Sequence, residues 1–234
     1  MNSVWPAFLI TLLVCVLFLK TINYLVIKNW LSNKLSRKII HIGTGPLFVL
    51  CWLLFPENQL SRYLAALIPL MVTARFFLIG IGLLEDKATV EALSRTGDRR
   101  EILKGPFYYG LFFIILTILF WKDYPIGIIA LMILCGGDGL ADIFGRRFGS
   151  RTLPWNRNKS LAGSLAMYFG GLLLSIVVVF IYIRFGLFKL NLLEIIPKLI
   201  FINLIATIVE SAPIHDWDNI TVPISVLLSG YFLF

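Results

Sequence analysis

Charge is scarce in this chain. Asp, Glu, Lys and Arg make up 15% of its 234 residues, against roughly 25% in an ordinary soluble domain. Hydrophobic residues reach 59% and the mean hydropathy is +0.87. A soluble fold of this length has more polar surface to cover than such a composition supplies. Disordered chains are apolar-poor and charge-rich, so disorder is excluded as well. Cysteine is scarce too: Cys15, Cys51 and Cys135 all lie inside apolar runs, which excludes a disulfide scaffold. The two histidines, His41 and His215, are far apart in sequence. No Cys/His metal pattern and no hydrolase triad can be drawn. Apolar runs are continuous rather than alternating, which excludes a transmembrane barrel. What remains is an all-α, polytopic transmembrane bundle, with residues 1–234 as a single integral membrane domain.

A helix needs roughly 20 apolar residues to cross a ~30 Å hydrocarbon core. The hydropathy predicts spans at 4–19 (extending at most to 27), 39–55, 63–84, 106–121, 126–145, 161–183, 192–209 and 221–234. The count is eight, or seven if one short segment does not cross. The fifth is weakened by Gly136-Gly137-Asp138, and the last is short. The first lacks the basic start and small-residue cleavage site of a signal peptide, so it reads as a retained span. Fifteen of the 21 cations fall in three segments. These are Lys20, Lys28, Lys34, Arg37 and Lys38; Lys87, Arg95, Arg99, Arg100 and Lys104; and Arg146, Arg147, Arg151, Arg157 and Lys159. Eight spans put all three segments on one side, which the positive-inside rule makes cytoplasmic. Ten of the 13 acids share that side. Acids contribute little to orientation, so their clustering points to a polar reaction site at the membrane surface.

Three constellations carry chemistry. Arg37-Lys38-x-x-His41 opens the second span, and Arg37, His41 and Gly45 are spaced to share a helix face. An ionisable group at that depth is costly and is by default a functional candidate. A plainer reading makes the cations anchors and the histidine a packed partner of another helix. The second is Gly137-Asp138-Gly139-x-Ala141-Asp142-x-x-Gly145-Arg146-Arg147-x-Gly149. Asp138 and Asp142 lie one turn apart, beside a small-residue stripe that admits close helix approach. Two such carboxylates repel unless a cation joins them. Mg²⁺ suits, since it takes one or two carboxylates, water and substrate phosphates. Arg146 and Arg147 suit phosphate oxygens, although they also suit simple pairing with the Asp residues. The third is Asn158-Lys159-Ser160-x-x-Gly163-Ser164, where Lys159, Ser160 and Ser164 sit at a helix N-terminus that favours anions. A capping Ser with an orienting Lys would read the same. Two further groups, Arg95-Thr96-Gly97-Asp98-Arg99-Arg100 and Glu210 with Asp218-Asn219, are secondary candidates that a solvated turn also explains. Basic clusters beside membrane spans argue against nucleic acid.

Taken in order, these elements resemble the membrane polyprenol kinases, a family that includes phytol, farnesol and dolichol kinases and a CTP-using diacylglycerol kinase, and is related to phosphatidate cytidylyltransferases. The resemblance covers roughly residues 34–225. Ser94 to Pro106 and Asp218-Asn219-x-Thr221-Val222-Pro223 are similar to the phytol kinase branch. Ala162 departs from an acid that several members carry there, which weakens any assignment of a third carboxylate and fits phytol kinases better than dolichol kinases.

The resemblance implies phosphorylation of a long isoprenoid alcohol, phytol favoured, at the cytoplasmic face. CTP is the implied donor and Mg²⁺ the implied metal. The expected metal ligands are Asp138 and Asp142. The expected catalytic residues are His41, Asp138, Asp142 and Lys159. Arg37, Lys38, Gly145, Arg146, Arg147, Gly149, Asn158, Ser160, Gly163 and Ser164 are expected around the nucleotide. Partners are then membrane lipid, the alcohol and a nucleoside triphosphate, with a role in phytol salvage and tocopherol precursor supply. The alternatives are a cytidylyltransferase-like enzyme, a diacylglycerol kinase and, of another class, a small transporter. Composition alone favours the transporter, for which Arg75 in the third span is thin support. The absence of an acid-poor leader before the first span points to a bacterial-type membrane, photosynthetic or otherwise, or to a processed organellar chain.

Overall fold

In hydrocarbon an apolar run satisfies its backbone only by closing its hydrogen bonds internally, as helix. The computed structural model describes residues 3–94, 96–213 and 217–234, apart from the Asn33 side chain. Arg95, His215 and Asp216 lie outside the described residues. The elements are α1 (Trp5–Ile27), α2 (Asn33–Cys51), α3 (Gln59–Ile81), α4 (Lys87–Leu93), α5 (Gly105–Leu119), α6 (Pro125–Met132), α7 (Asp138–Phe148), β1 (Thr152–Leu153), β2 (Asn156–Ser160), α8 (Leu161–Arg184), α9 (Leu192–Ser211) and α10 (Asp218–Leu233).

Seven helical stretches among the described residues are long and apolar enough to cross a membrane. The eighth expected span is α10, with 16 residues, or about 24 Å at 1.5 Å per residue. That is shorter than the hydrocarbon core. The first span runs on to Ile27, the outer limit expected of it.

The insecure fifth span is a continuous helix from Pro125 to Phe148. Gly136-Gly137 does not break it. Residues Ile133–Gly137 widen into a π-helical turn that joins α6 to α7. Every residue from Pro125 to Gly137 is buried, so no water is at hand to satisfy an opened backbone, and the helix must carry through. π turns of this kind often sit at functional sites. This central helix packs against α2, α5, α8 and α10. Leu13, Leu17, Phe169, Leu173, Phe201, Leu204 and Leu228 are exposed on the rim, where a bilayer would cover them.

Close helix contact is made by small residues. A Cβ on Gly163 of α8 would sit 3.2 Å from the Ala141 carbonyl oxygen and 3.4 Å from Gly145 Cα of α7. Both neighbours are backbone and cannot yield. Gly163→Val should therefore lower stability by about 1–3 kcal/mol, read as an earlier thermal unfolding in detergent.

The antiparallel β1–β2 hairpin was not foreseen from the sequence. Its β2 strand is polar, and tertiary bonds hold it. Asn156 Nδ2 donates to the carbonyls of Ser211 (3.2 Å) and Ala212 (3.1 Å), and Trp155 Nε1 donates to Ser211 Oγ (3.2 Å). The hairpin is thereby tied to the end of α9. Where β2 ends, Ser160 Oγ accepts from Gly163 N (3.1 Å) and caps α8, as expected of a Ser at that position.

Candidate active site

Cα spacing places Asp138 and Asp142 on one face of α7, one turn apart, and α2 answers them. Lys38 Nζ lies 3.2 Å from Asp142 Oδ2, and His41 Nε2 lies 3.2 Å from Asp138 Oδ2. The other Asp142 oxygen accepts from Arg146 Nε at 2.9 Å. The His41–Asp138 pair is a contact without hydrogen-bond geometry, so His41 Nε2 is buried and unbonded. Both Asp side chains keep 27% exposure, enough to be met from solution.

A second cluster stands beside the first. Lys159 Nζ on β2 is gripped by Glu210 at the end of α9 and by Asp218 Oδ2 at the start of α10, the latter at 2.8 Å. Burial on its own would push the Lys159 ammonium down. Glu210 and Asp218 outweigh it and hold the pKa above its ordinary 10.5. The ammonium therefore stays charged through neutral pH. Lys159 also acts electrostatically on Asp138, so the clusters form one field. Glu210 Oε2 and Ser164 Oγ are buried without a hydrogen-bond partner. Unsatisfied polar atoms are rare in native interiors, and His41 Nε2 and Glu210 Oε2 are two of them within these clusters.

Several expected site residues are thus brought together: Lys38, His41, Asp138, Asp142, Arg146 and Lys159, with the secondary candidates Glu210 and Asp218. Gly145, Gly149, Ser160 and Gly163 form the close α7–α8 seam beside them. Others point elsewhere. Arg37 reaches the Ala92 carbonyl at 3.5 Å. Arg147 is exposed, with its guanidinium 5.5 Å from the Phe148 ring centroid. The Asn158 backbone N–H donates to Asn156 Oδ1 (3.1 Å), within the hairpin. Asp98 caps the helical turn Arg99–Leu103 through Arg100 N (2.9 Å), and the Arg99 guanidinium lies over Gly82. No described contact joins Asp98, Arg99 or Arg100 to the two α7 carboxylates. Asn219 sits against Gly105. Arg75 is not a mid-membrane charge: its guanidinium reaches Asp86 Oδ2 at 2.5 Å, beyond the end of α3. Thr89 hydrogen bonds and Arg75 together draw the Asp86 carboxyl down to about 2.

Sequence reasoning missed Tyr109. Its hydroxyl donates to the His41 carbonyl (2.9 Å) and lies 3.0 Å from Cys135 Sγ, with the rings of Tyr109 and His41 4.4 Å apart. It stands in an apolar span with no neighbouring charge, so only tertiary structure reveals it.

The donor set fits Mg²⁺. Two carboxylates one turn apart, open to solution, match a metal completed by water and phosphate oxygens. No group of three or more His, Cys, Asp or Glu donors occurs among the described residues.

Fold and site together define a polytopic helical membrane protein with a mixed-charge cluster where several helices meet at one end. Comparison with known proteins is more specific. The chain is 41% identical over 209 residues to a probable phytol kinase 1, chloroplastic, of Glycine max, covering 88% of this chain and 69% of that protein. It is 39% identical over 209 residues to phytol kinase 1, chloroplastic, of Arabidopsis thaliana, with the same coverage of both. It is 41% identical over 205 residues to farnesol kinase, chloroplastic, of Arabidopsis thaliana, covering 87% and 66%. No family model and no solved structure matches the chain. The chain belongs to the phytol kinase and polyprenol kinase family.

Proposed function

We propose that the protein is an isoprenoid-alcohol kinase that moves the γ-phosphoryl group of CTP to the terminal hydroxyl of phytol or a close relative. The similarity to proteins named phytol kinase and farnesol kinase carries this reading. The juxtaposition of two carboxylates, a histidine and three cations at one end of the bundle supports it. A lipid alcohol lies in the bilayer while a nucleotide arrives from water, so the reacting groups must meet at such an end. We place that end on the cytoplasmic side, where cation-rich loops belong.

Phosphoryl transfer asks for positioning and charge neutralisation more than covalent chemistry. Asp138 and Asp142 would hold Mg²⁺, which when bound offsets charge on the nucleotide phosphates. Lys38 and Arg146 fix the two oxygens of Asp142. An ammonium has three N–H donors; Glu210 and Asp218 take two from Lys159, which leaves one for a phosphate oxygen. Arg146, which is exposed beside Asp142, flanks the approach. The alcohol oxygen bonds to the γ-phosphorus, the β–γ bridging bond breaks, and the nucleoside diphosphate departs. The hydroxyl proton passes to the His41–Asp138 pair, and Tyr109 holds His41 in place. The product would enter isoprenoid precursor supply, tocopherol's included.

An alcohol-and-nucleotide panel on isolated membranes tests this reading. Phytol or farnesol with CTP should yield the prenyl monophosphate and CDP. A CMP-lipid with pyrophosphate would instead identify a nucleotidyl transferase, and phosphorylation of diacylglycerol alone would move the substrate class.

A further inference from the structure

The opposite end of the bundle carries a second polar site that the reaction does not use. A hollow of about 430 Å³ opens where α3 begins and α5 and α8 end, lined by Glu57, Gln59, Arg62, Lys122, Asp123 and Leu187 among others. We propose that this hollow binds a phosphate-bearing group, of which a phospholipid headgroup is the source nearest to hand.

Three observations carry it. Lys122 is 8% exposed, and its Nζ donates to the Phe55 carbonyl at 2.9 Å. That uses one of its three donors. Among the described residues no carboxylate lies within ion-pair distance of it, and buried charges are ordinarily paired. Burial pushes its pKa below 10.5, with Glu57 and Asp123 opposing. Arg62 gives NH1 to the Ile118 carbonyl (3.2 Å) and NH2 to Asp123 Oδ2 (2.5 Å), yet its Nε is buried with no partner. Lys122 therefore keeps two donors unused where it and Arg62 line one hollow. Finally, Trp121, which also lines the hollow, holds φ +44. That conformation is strained for a bulky side chain and is kept where surrounding structure enforces it. Stacking of Trp121 on Trp52, with centroids 4.8 Å apart, supplies the enforcement. The indole in turn lies 5.8 Å from Lys122 Nζ. A phosphate would complete the donor set, and the position at the helix ends is where lipid phosphates lie.

Thermal unfolding of the delipidated full chain in detergent tests the proposal, with inorganic phosphate and phosphatidylglycerol as separate probes and diacylglycerol as control. At least one phosphate-bearing probe should raise the wild-type midpoint by about 2–4 °C, and diacylglycerol should not. A shift with phosphatidylglycerol alone identifies a lipid headgroup, and a shift with both identifies the phosphate itself. Lys122→Gln should lose the shift. Gln59→Trp, which fills the hollow and leaves every charge in place, should lose it as well and decides the matter if Lys122→Gln does not fold. Equal shifts in all three proteins, or none in the wild type, would overturn the proposal.

Discussion

Asp142→Asn will lower turnover by about 10²–10³-fold or more, the size seen when one preorganised electrostatic group is lost from a site. The protein will still accumulate in the membrane. The reason lies in what Asp142 does. One oxygen faces Lys38 at 3.2 Å and the other takes a bond from Arg146 at 2.9 Å. An Asn keeps the shape and one acceptor but removes the charge that both cations answer. It also removes half of the pair proposed for Mg²⁺. The side chain keeps 27% exposure, so the loss falls on catalysis more than on folding. The Mg²⁺ concentration for half-maximal rate should rise in the same variant. A fully active Asp142→Asn with an unchanged Mg²⁺ requirement would remove the carboxylate from the mechanism.

Lys159→Met will be the most damaging single change to both stability and activity. It takes the cation from between Glu210, whose side chain is 3% exposed, and Asp218. Breaking a buried pair by removing one partner costs about 3–5 kcal/mol, because a charge is left uncompensated. Adding Glu210→Gln should recover much of that stability, measured as thermal unfolding in detergent, while turnover stays low. That split separates the structural clamp from the proposed phosphate contact. The pH dependence has a definite sign. A folded pKa raised above 10.5 means that, while Glu210 and Asp218 are ionised, the Lys159 ammonium contributes fully below that pH and its contribution is lost as pH rises through the raised value. No stability loss traceable to Lys159 should therefore appear between pH 6 and 9.

Much of this was legible in the sequence, for physical reasons that differ between parts. Continuous apolar runs dictate helices, and the i,i+4 spacing of Asp138 and Asp142 dictates a shared face. The small residues from Ala141 to Gly149 announce a close helix neighbour, which proves to be α8 at Gly163. Glu210 and Asp218 looked like solvated turn residues because nothing local marks them. They matter only because the hairpin swings Lys159 between two helix ends, and Asn156, which pins that hairpin, has no distinctive sequence context. Tyr109 was invisible for the same reason. The fifth span is the least secure in the sequence because a Gly-Gly-Asp run reads as a turn in water. Buried at the centre of a bundle, the same backbone has no solvent to turn towards. Arg37 and Arg147 illustrate the converse: both stand within the right motifs, yet their side chains leave the cluster.

The most direct measurement follows label from γ-phosphate-labelled CTP, with Mg²⁺ and phytol, using purified wild-type protein and Asp142→Asn side by side. The account predicts labelled phytyl phosphate and CDP with the wild type, and a background-level signal with the variant. Failure of the folded wild type to label phytol or any other isoprenoid alcohol, with every nucleoside triphosphate supplied, would contradict it.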